Sequence, residues 1–344
     1  AAGEGMKHWI WSLLGLLAIG WTQAQAGGGW SDRRMRRQAD RFLRTMPDSL
    51  QARQARAVAR ARMGDGAELA AVRSARNRPH RLSRGVRTRE LSEKLRLYEP
   101  CGTEERLLPL LVYLHGGGWT FGSINSCARF CDALAATGRV RVLAVDYRLA
   151  PEHPFPGGYV DCVEAVRYAV AHAKELGIDP VRISVGGDSA GGNLAVATAL
   201  GDECAGAIES LILFYPVTKA FADGSASWER FGRGYGLDTV LMDQFNRAYA
   251  PAVPSGVSLI DVGLAPAEAV ADLPRTLLVA AGRDILRDQG AEFAGRLPAG
   301  KIRRVEFPEA VHLFITVPGQ EEAFRAAVTL ASEFLELIAS PKER

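Results

Sequence analysis

The sequence has no apolar run long enough to cross a bilayer. Its most apolar stretch, residues 9–21, covers 13 positions, against the roughly 18–20 that a spanning helix needs. Cysteine is sparse and odd in number, with Cys101, Cys127, Cys131, Cys162 and Cys204 the only five in 344 residues. An odd, thin set in a chain of this size does not describe a disulfide framework. Cys127 and Cys131 stand one helical turn apart, but no His or further Cys follows at zinc-ligand spacing. Buried thiols are expected, with one bridge left open, and neither a metal nor a cofactor is called for. Tandem repeats are absent. Aromatic residues make up only 8% and do not interleave with the basic ones as a base-stacking surface would require, so nucleic acid is not an expected partner.

What is present is ordinary for a globular protein: 47% hydrophobic and 24% charged residues, with a net charge of +3. The charge is unevenly placed. Residues 27–96 hold 19 Lys/Arg against 7 Asp/Glu, whereas residues 97–344 hold 22 against 31. Such asymmetry suits an anionic partner, but a basic segment packed on an acidic body is the simpler reading. Residues 1–5 read as a cloning remnant ahead of a start at Met6. Lys7 and His8, the apolar run and Ala24-Gln25-Ala26 then form the pattern of a cleaved secretory signal, the alternative being an uncleaved anchoring helix. The expected location is periplasmic or secreted, with no stable membrane span once the signal is removed. Export permits disulfides without requiring them.

Along the chain, residues 27–78 read as two or three Ala/Arg-rich helices broken near Met46-Pro47-Asp48 and Gly64-Asp65-Gly66. Then short Val/Leu/Ile runs at 95–98, 110–114, 140–145, 181–185, 211–214, 277–280 and 302–307 alternate with helical stretches near 125–137, 160–175, 190–201, 237–249, 288–297 and 321–338. This alternation predicts an α/β fold, a mostly parallel sheet with helices on both faces. Segments 79–216 and 274–344 would form its core. Residues 217–273 make a connection too long for a simple loop and carry an aromatic, glycine-rich piece from Trp228 to Gly236. They are expected to form an inserted cap together with the N-terminal helices.

Gly187-Asp188-Ser189-Ala190-Gly191 fits G-x-S-x-G where a β-branched run gives way to Ala-rich helical sequence. A turn of this kind holds the Ser189 backbone strained and its Oγ exposed, at the N-terminus of a helix that favours negative charge. The turn could also be purely structural, so other parts are needed. Residues 111–114 run into His115-Gly116-Gly117-Gly118-Trp119, where consecutive glycines bring backbone N–H groups close to a substrate carbonyl. A phosphate loop would close with Gly-Lys-Ser/Thr, which is missing. The Ala190 N–H would be a further oxyanion donor, and His115 reads as a loop brace.

The base follows by elimination. Of His8, His80, His115, His153, His172 and His312, only His312 lies beyond Ser189, and this fold orders its triad Ser, acid, His. Asp284 sits just past an expected strand end, where it could orient His312, while Asp288 reads as the N-cap of the next helix.

Four blocks together resemble the hormone-sensitive-lipase-like family of α/β-hydrolases, the bacterial family IV esterases. They are His115-Gly116-Gly117-Gly118-Trp119, residues 146–156 (DYRLAPEHPFP), residues 187–193 (GDSAGGN) and residues 284–288 (DILRD). The resemblance covers roughly residues 80–340. It implies a cap of N-terminal helices plus the insertion after the sixth strand, and oxyanion donors at Gly117, Gly118 and Ala190. A triad of this kind requires no cofactor, and a capped pocket is expected to suit short- to medium-chain acyl or small aryl esters. The sequence departs from the family at Leu313, where Gly usually follows the catalytic His, and at Ile285, where Pro usually follows the acid. Segment 77–95 does not read as the family's first strands. A small-molecule ester is the expected partner, and a homodimer is left open. Two other outcomes remain: hydrolysis of an activated amide or formamide by the same triad, or a non-catalytic ligand-binding homologue.

Overall fold

The computed structural model describes residues 29–339 except 222 and 253–256; the signal-like segment 6–26 lies outside them. Three helices come first: α1 (Asp32–Thr45), α2 (Leu50–Arg62) and α3 (Ala67–Arg76). The sheet begins with β1 (Val86–Ser92), β2 (Leu95–Pro100) and β3 (Leu108–Leu114). After α4 (Ala128–Ala135) come β4 (Arg141–Val145), α5 (Gly157–Ala171), the short α6 (Ala173–Leu176), β5 (Ile178–Asp188) and α7 (Ala190–Leu200). The chain continues with β6 (Ser210–Phe214), α8 (Ala226–Arg230), α9 (Thr239–Tyr249) and α10 (Ala267–Asp272). It finishes with β7 (Arg275–Arg283), α11 (Arg287–Arg296), β8 (Ile302–Val311) and α12 (Glu321–Ala339).

The eight strands form one sheet in the order β1-β2-β4-β3-β5-β6-β7-β8. β1 and β2 join it antiparallel, and every pairing from β4 to β8 is parallel. Strand β3 shows why it sits near the middle. All seven of its residues are buried, with Leu110, Val112 and Leu114 in one apolar layer and Leu111 and Tyr113 in the other. Alternate residues point to opposite faces, so an unbroken apolar run suits a strand covered on both sides. Helices α5, α7 and α11 supply one layer, while α4, α12 and Met35 of α1 supply the other. Each fully buried aliphatic chain contributes about 1.5–3 kcal/mol.

Strand β1, unexpected from sequence, has the composition of a sheet edge. Val86-Arg87-Thr88-Arg89-Glu90 is largely polar and only Val86 is buried. Charges blunt an edge against pairing with other chains, and they also hide the apolar periodicity by which a strand is recognised. Arg87 and Arg89 both reach the buried Glu99 of β2.

The N-terminal helices divide their work. α1 lies along the body: Ser31 N–H and Arg34 bond Glu322 of α12, and Arg36 lies 3.9 Å from Glu309. α2 instead meets α9, where Gln51 donates to the Gly236 carbonyl and accepts from the Asp238 N–H. These contacts join the basic segment to acidic partners on the body. The far part of the long β6–β7 connection also returns to the body, since Asn193 of α7 donates to the carbonyls of both Val217 and Ile260 at 3.0 and 2.8 Å. Among the described residues no helix is long and apolar enough to cross a membrane. All five cysteines are free, four of them buried.

Candidate active site

Ser189 stands between β5 and α7 with φ 55° and ψ −118°. A non-glycine residue in that region stores about 1–3 kcal/mol of strain and needs firm support. Support comes from its N–H donating to the Phe214 carbonyl at 2.9 Å and its carbonyl accepting from Val217 at 3.1 Å. The flanking glycines are there for space: a Cβ on Gly187 or Gly191 would run into the Leu114 carbonyl.

Three residues far apart in sequence meet here. His312 Nε2 lies 3.1 Å from Ser189 Oγ, and its Nδ1 lies 2.6 Å from Asp284 Oδ2. Asp284 cannot donate when ionised, so Nδ1 carries the ring proton and Nε2 is free to accept from Ser189. All three are buried. Asp284 follows β7 directly, and its Oδ1 accepts from the Leu286 N–H at 3.1 Å. Asp288 takes no part in this line. It also is not the N-cap of α11, a position held by Leu286. Lying inside the first turn, its carboxylate accepts from the Ser227 N–H at 2.8 Å and so pins the start of α8.

The loop carrying His312 is held on several sides by residues that sequence reasoning missed. Gln320 donates to the carbonyls of Val311 and His312 and accepts from the Val311 N–H. The ring of Tyr215 packs 4.4 Å from the imidazole, and its hydroxyl accepts from Ile315. Leu313 adopts φ 72°, a left-handed conformation in which glycine is unstrained and other L-residues lose about 1–2 kcal/mol. The family's glycine therefore has a backbone reason, and this chain meets the same backbone requirement with leucine.

Opposite His312 lies the glycine loop. The Gly116 N–H is committed to Asp188 Oδ1 at 3.0 Å, which also accepts from Tyr113. Burial pushes the Asp188 carboxyl above its usual range, while those two hydrogen bonds pull it down. Asp188 was the unexplained letter inside G-x-S-x-G, and its adjacency to Ser189 was the available clue. Gly117 (φ 123°) turns the loop back, accepting from Thr120 and Phe121. The N–H groups of Gly117, Gly118 and Ala190 make no hydrogen bond with the described residues, which leaves them free for a ligand oxygen. His115 is fully buried. Its Nδ1–H donates to the Gly116 carbonyl at 2.9 Å and its ring stacks on Tyr147 at 4.3 Å. Burial lowers its pKa against the pull of Asp146, so it acts as a neutral brace. Residues 146–156 form the backing: Tyr147 Oη donates to the His115 carbonyl and Ala150 N–H to the Trp119 carbonyl.

Above these groups opens a cavity of about 830 Å³, lined by Ser189, His312 and the glycine loop below. Its upper walls come from α1, α2, α3 and α9, with Phe42, Leu50, Leu241 and Phe245 among the apolar side chains. Among the described residues there is no cluster of ligating side chains suited to a metal ion.

A parallel sheet with a strained serine after its fifth strand, a histidine after its last, and an acid between them defines the α/β-hydrolase class. A family model for the alpha/beta hydrolase fold matches residues 111–316. The chain is 37% identical over 240 residues to a carboxylesterase, NlhH, of Mycobacterium tuberculosis, covering 67% of this chain and 74% of that protein. It is 34% identical over 252 residues to an ethyl acetate hydrolase of Pseudomonas putida, covering 70% of this chain and 77% of the relative. The solved structure of a thermostable esterase from Pseudomonas putida superposes with a TM-score of 0.75 at 25% identity, covering 92% of this chain and all of that one. The chain belongs to the hormone-sensitive-lipase-like, bacterial family IV branch of the α/β-hydrolases.

Proposed function

We propose that this carboxylic ester hydrolase cleaves short- to medium-chain acyl or small aryl esters with Ser189 as nucleophile. The observation that carries the reading is the hydrogen-bonded line Ser189–His312–Asp284, with spacings of 3.1 and 2.6 Å, beneath an 830 Å³ cavity. Ester cleavage is the activity that the names of the Mycobacterium tuberculosis and Pseudomonas putida relatives share.

The steps follow from the donors and acceptors. His312 Nε2 takes the hydroxyl proton as Ser189 Oγ bonds to the carbonyl carbon, and Asp284 holds the ring and stabilises its positive charge. The carbonyl oxygen becomes an oxyanion that accepts from the N–H groups of Gly117, Gly118 and Ala190. The tetrahedral centre collapses, its ester C–O bond breaks, and His312 returns the proton to the leaving alcohol. Water, activated by the same imidazole, then releases the acid. No cofactor enters these steps. The helices of segment 27–78 and the insertion 217–273 serve as the cap that excludes water and bounds the acyl chain. Export through residues 6–26 belongs to the same reading and rests on sequence pattern.

The test is turnover of p-nitrophenyl acetate and butyrate with and without Ser189→Ala. The wild type should show burst release, and the variant should lose on the order of 10⁵–10⁶ in kcat. Wild-type rates in the variant would remove Ser189 from the mechanism.

A further inference from the structure

A neutral acyl chain needs only apolar walls, yet this cavity presents a guanidinium. Arg73 and Arg76 lie three residues apart at the end of α3 and have opposite fates. Arg73 commits its donors to protein: Nε to the Thr120 carbonyl at 2.8 Å, Nη2 to the Ala150 carbonyl at 2.8 Å, and both terminal nitrogens to Glu152 at 2.8 Å each. Arg76 lines the cavity shared with Ser189 and His312, with its charged end 5.4 Å from the centre of the Phe121 ring. Phe121 itself is tied through its N–H to the Gly117 carbonyl at 2.7 Å. Arg76 is thus one contact from the glycine loop. Among the described residues it makes no hydrogen bond and no ion pair, although it is partly buried.

The surroundings do not neutralise it. Burial pushes its pKa below the usual arginine value, and the Asp188 carboxylate acts against that shift without forming a bond. Arg53, Arg56 and Arg78 line the same cavity, and the acidic Glu68 is already engaged by Arg60 at 2.8 Å and Arg56 at 3.6 Å. A partly buried guanidinium with donors that no described residue takes up is matched in shape by a carboxylate, which it can hold through two parallel hydrogen bonds. A net basic wall also steers anions inward.

We propose that the esters this site selects carry a free carboxylate, bound by Arg76 on the cap side of the cavity. The inference rests on the esterase reading above and adds the substrate's charge. Charge-assisted hydrogen bonds to one group change affinity by about 10–100-fold.

The experiment compares kcat/KM within two matched pairs followed by proton release. Monomethyl adipate against methyl hexanoate places the charge in the acyl half. The butanoyl ester of 3-hydroxypropanoate against propyl butanoate places it in the alcohol half. The wild type should favour the anionic member of at least one pair, mainly through a lower KM. Arg76→Gln should reduce that anionic-to-neutral ratio about 10–100-fold, and Arg76→Lys should restore part of it, which a merely unfolded variant could not do. An equal ratio in wild type and Arg76→Gln, or a wild-type preference for the neutral member of both pairs, would overturn the proposal while leaving the esterase intact. Wild-type inactivity on all four esters would instead overturn the esterase reading and the inference with it.

Discussion

The floor of the cavity and its roof are built on different terms. On the floor the groups that hold the catalytic line are tied in: His312 has Asp284, Asp188 has Tyr113 and Gly116, and the His312 loop has Gln320 and Tyr215. Apart from Gln320, which precedes α12, these groups sit at the ends of β3, β5, β6 and β7, so their positions derive from a packed parallel sheet. The roof is assembled from helices that meet one another through few specific bonds, such as Gln51 with Gly236 and Asp238. It presents apolar side chains and Arg76 to the cavity. Preorganised, hydrogen-bonded groups suit chemistry, whereas a loosely bolted wall can vary and so suits selection.

This contrast can be broken from the floor first. Asp284→Asn keeps the shape but reverses the hydrogen bond to His312, so kcat on p-nitrophenyl butyrate should fall by about 10⁴ with little change in KM. Next comes the point where floor meets roof. A Cβ at Gly118 would overlap the ring of Phe245 in α9, so Gly118→Ala should shift an oxyanion donor and lower kcat by about 10²–10³. Pairing it with Phe245→Ala should recover part of that loss, because the obstacle is a roof side chain.

The smallest effect belongs to the bolt between the two regions, Arg73–Glu152. The Arg73 hydrogen bond holds the Glu152 carboxyl below its usual pKa. Its stabilisation is therefore complete above the ordinary glutamate value of about 4.3 and is lost as pH falls through the lowered folded value. Because the Glu152 side chain is 49% exposed, Glu152→Gln should reduce stability by only about 0.5–1 kcal/mol near neutral pH. Thermal melts of the two proteins should begin to draw together only as pH falls below the ordinary glutamate value of about 4.3 and should coincide once it is below the lowered folded value.

The same contrast governs what could be read from sequence. Strands β2 to β8 announce themselves as apolar runs because both faces of the sheet are covered, and the glycines around Ser189 and after His115 mark places where backbone passes close to backbone. His312 could be reached by elimination, and Asp284 by its place just beyond a strand. Strand β1 escaped because an edge is charged by design. Asp288 misled because a carboxylate in a helix's first turn looks like a cap whether it bonds its own helix or, as here, Ser227 some 61 residues away. Tyr215, Gln320 and Arg76 left no local signal, since their roles depend on contacts between distant segments and, for Arg76, on having no hydrogen-bond partner among the described residues.

The central claim is that the floor makes Ser189 a nucleophile. Its most direct test is treatment of the wild-type protein with a fluorophosphonate probe, followed by peptide mapping. A single adduct on Ser189, lost in Ser189→Ala and strongly slowed in Asp284→Asn, is the expected result. A wild-type protein that stays unlabelled, or one labelled equally well after Ser189→Ala, would contradict it.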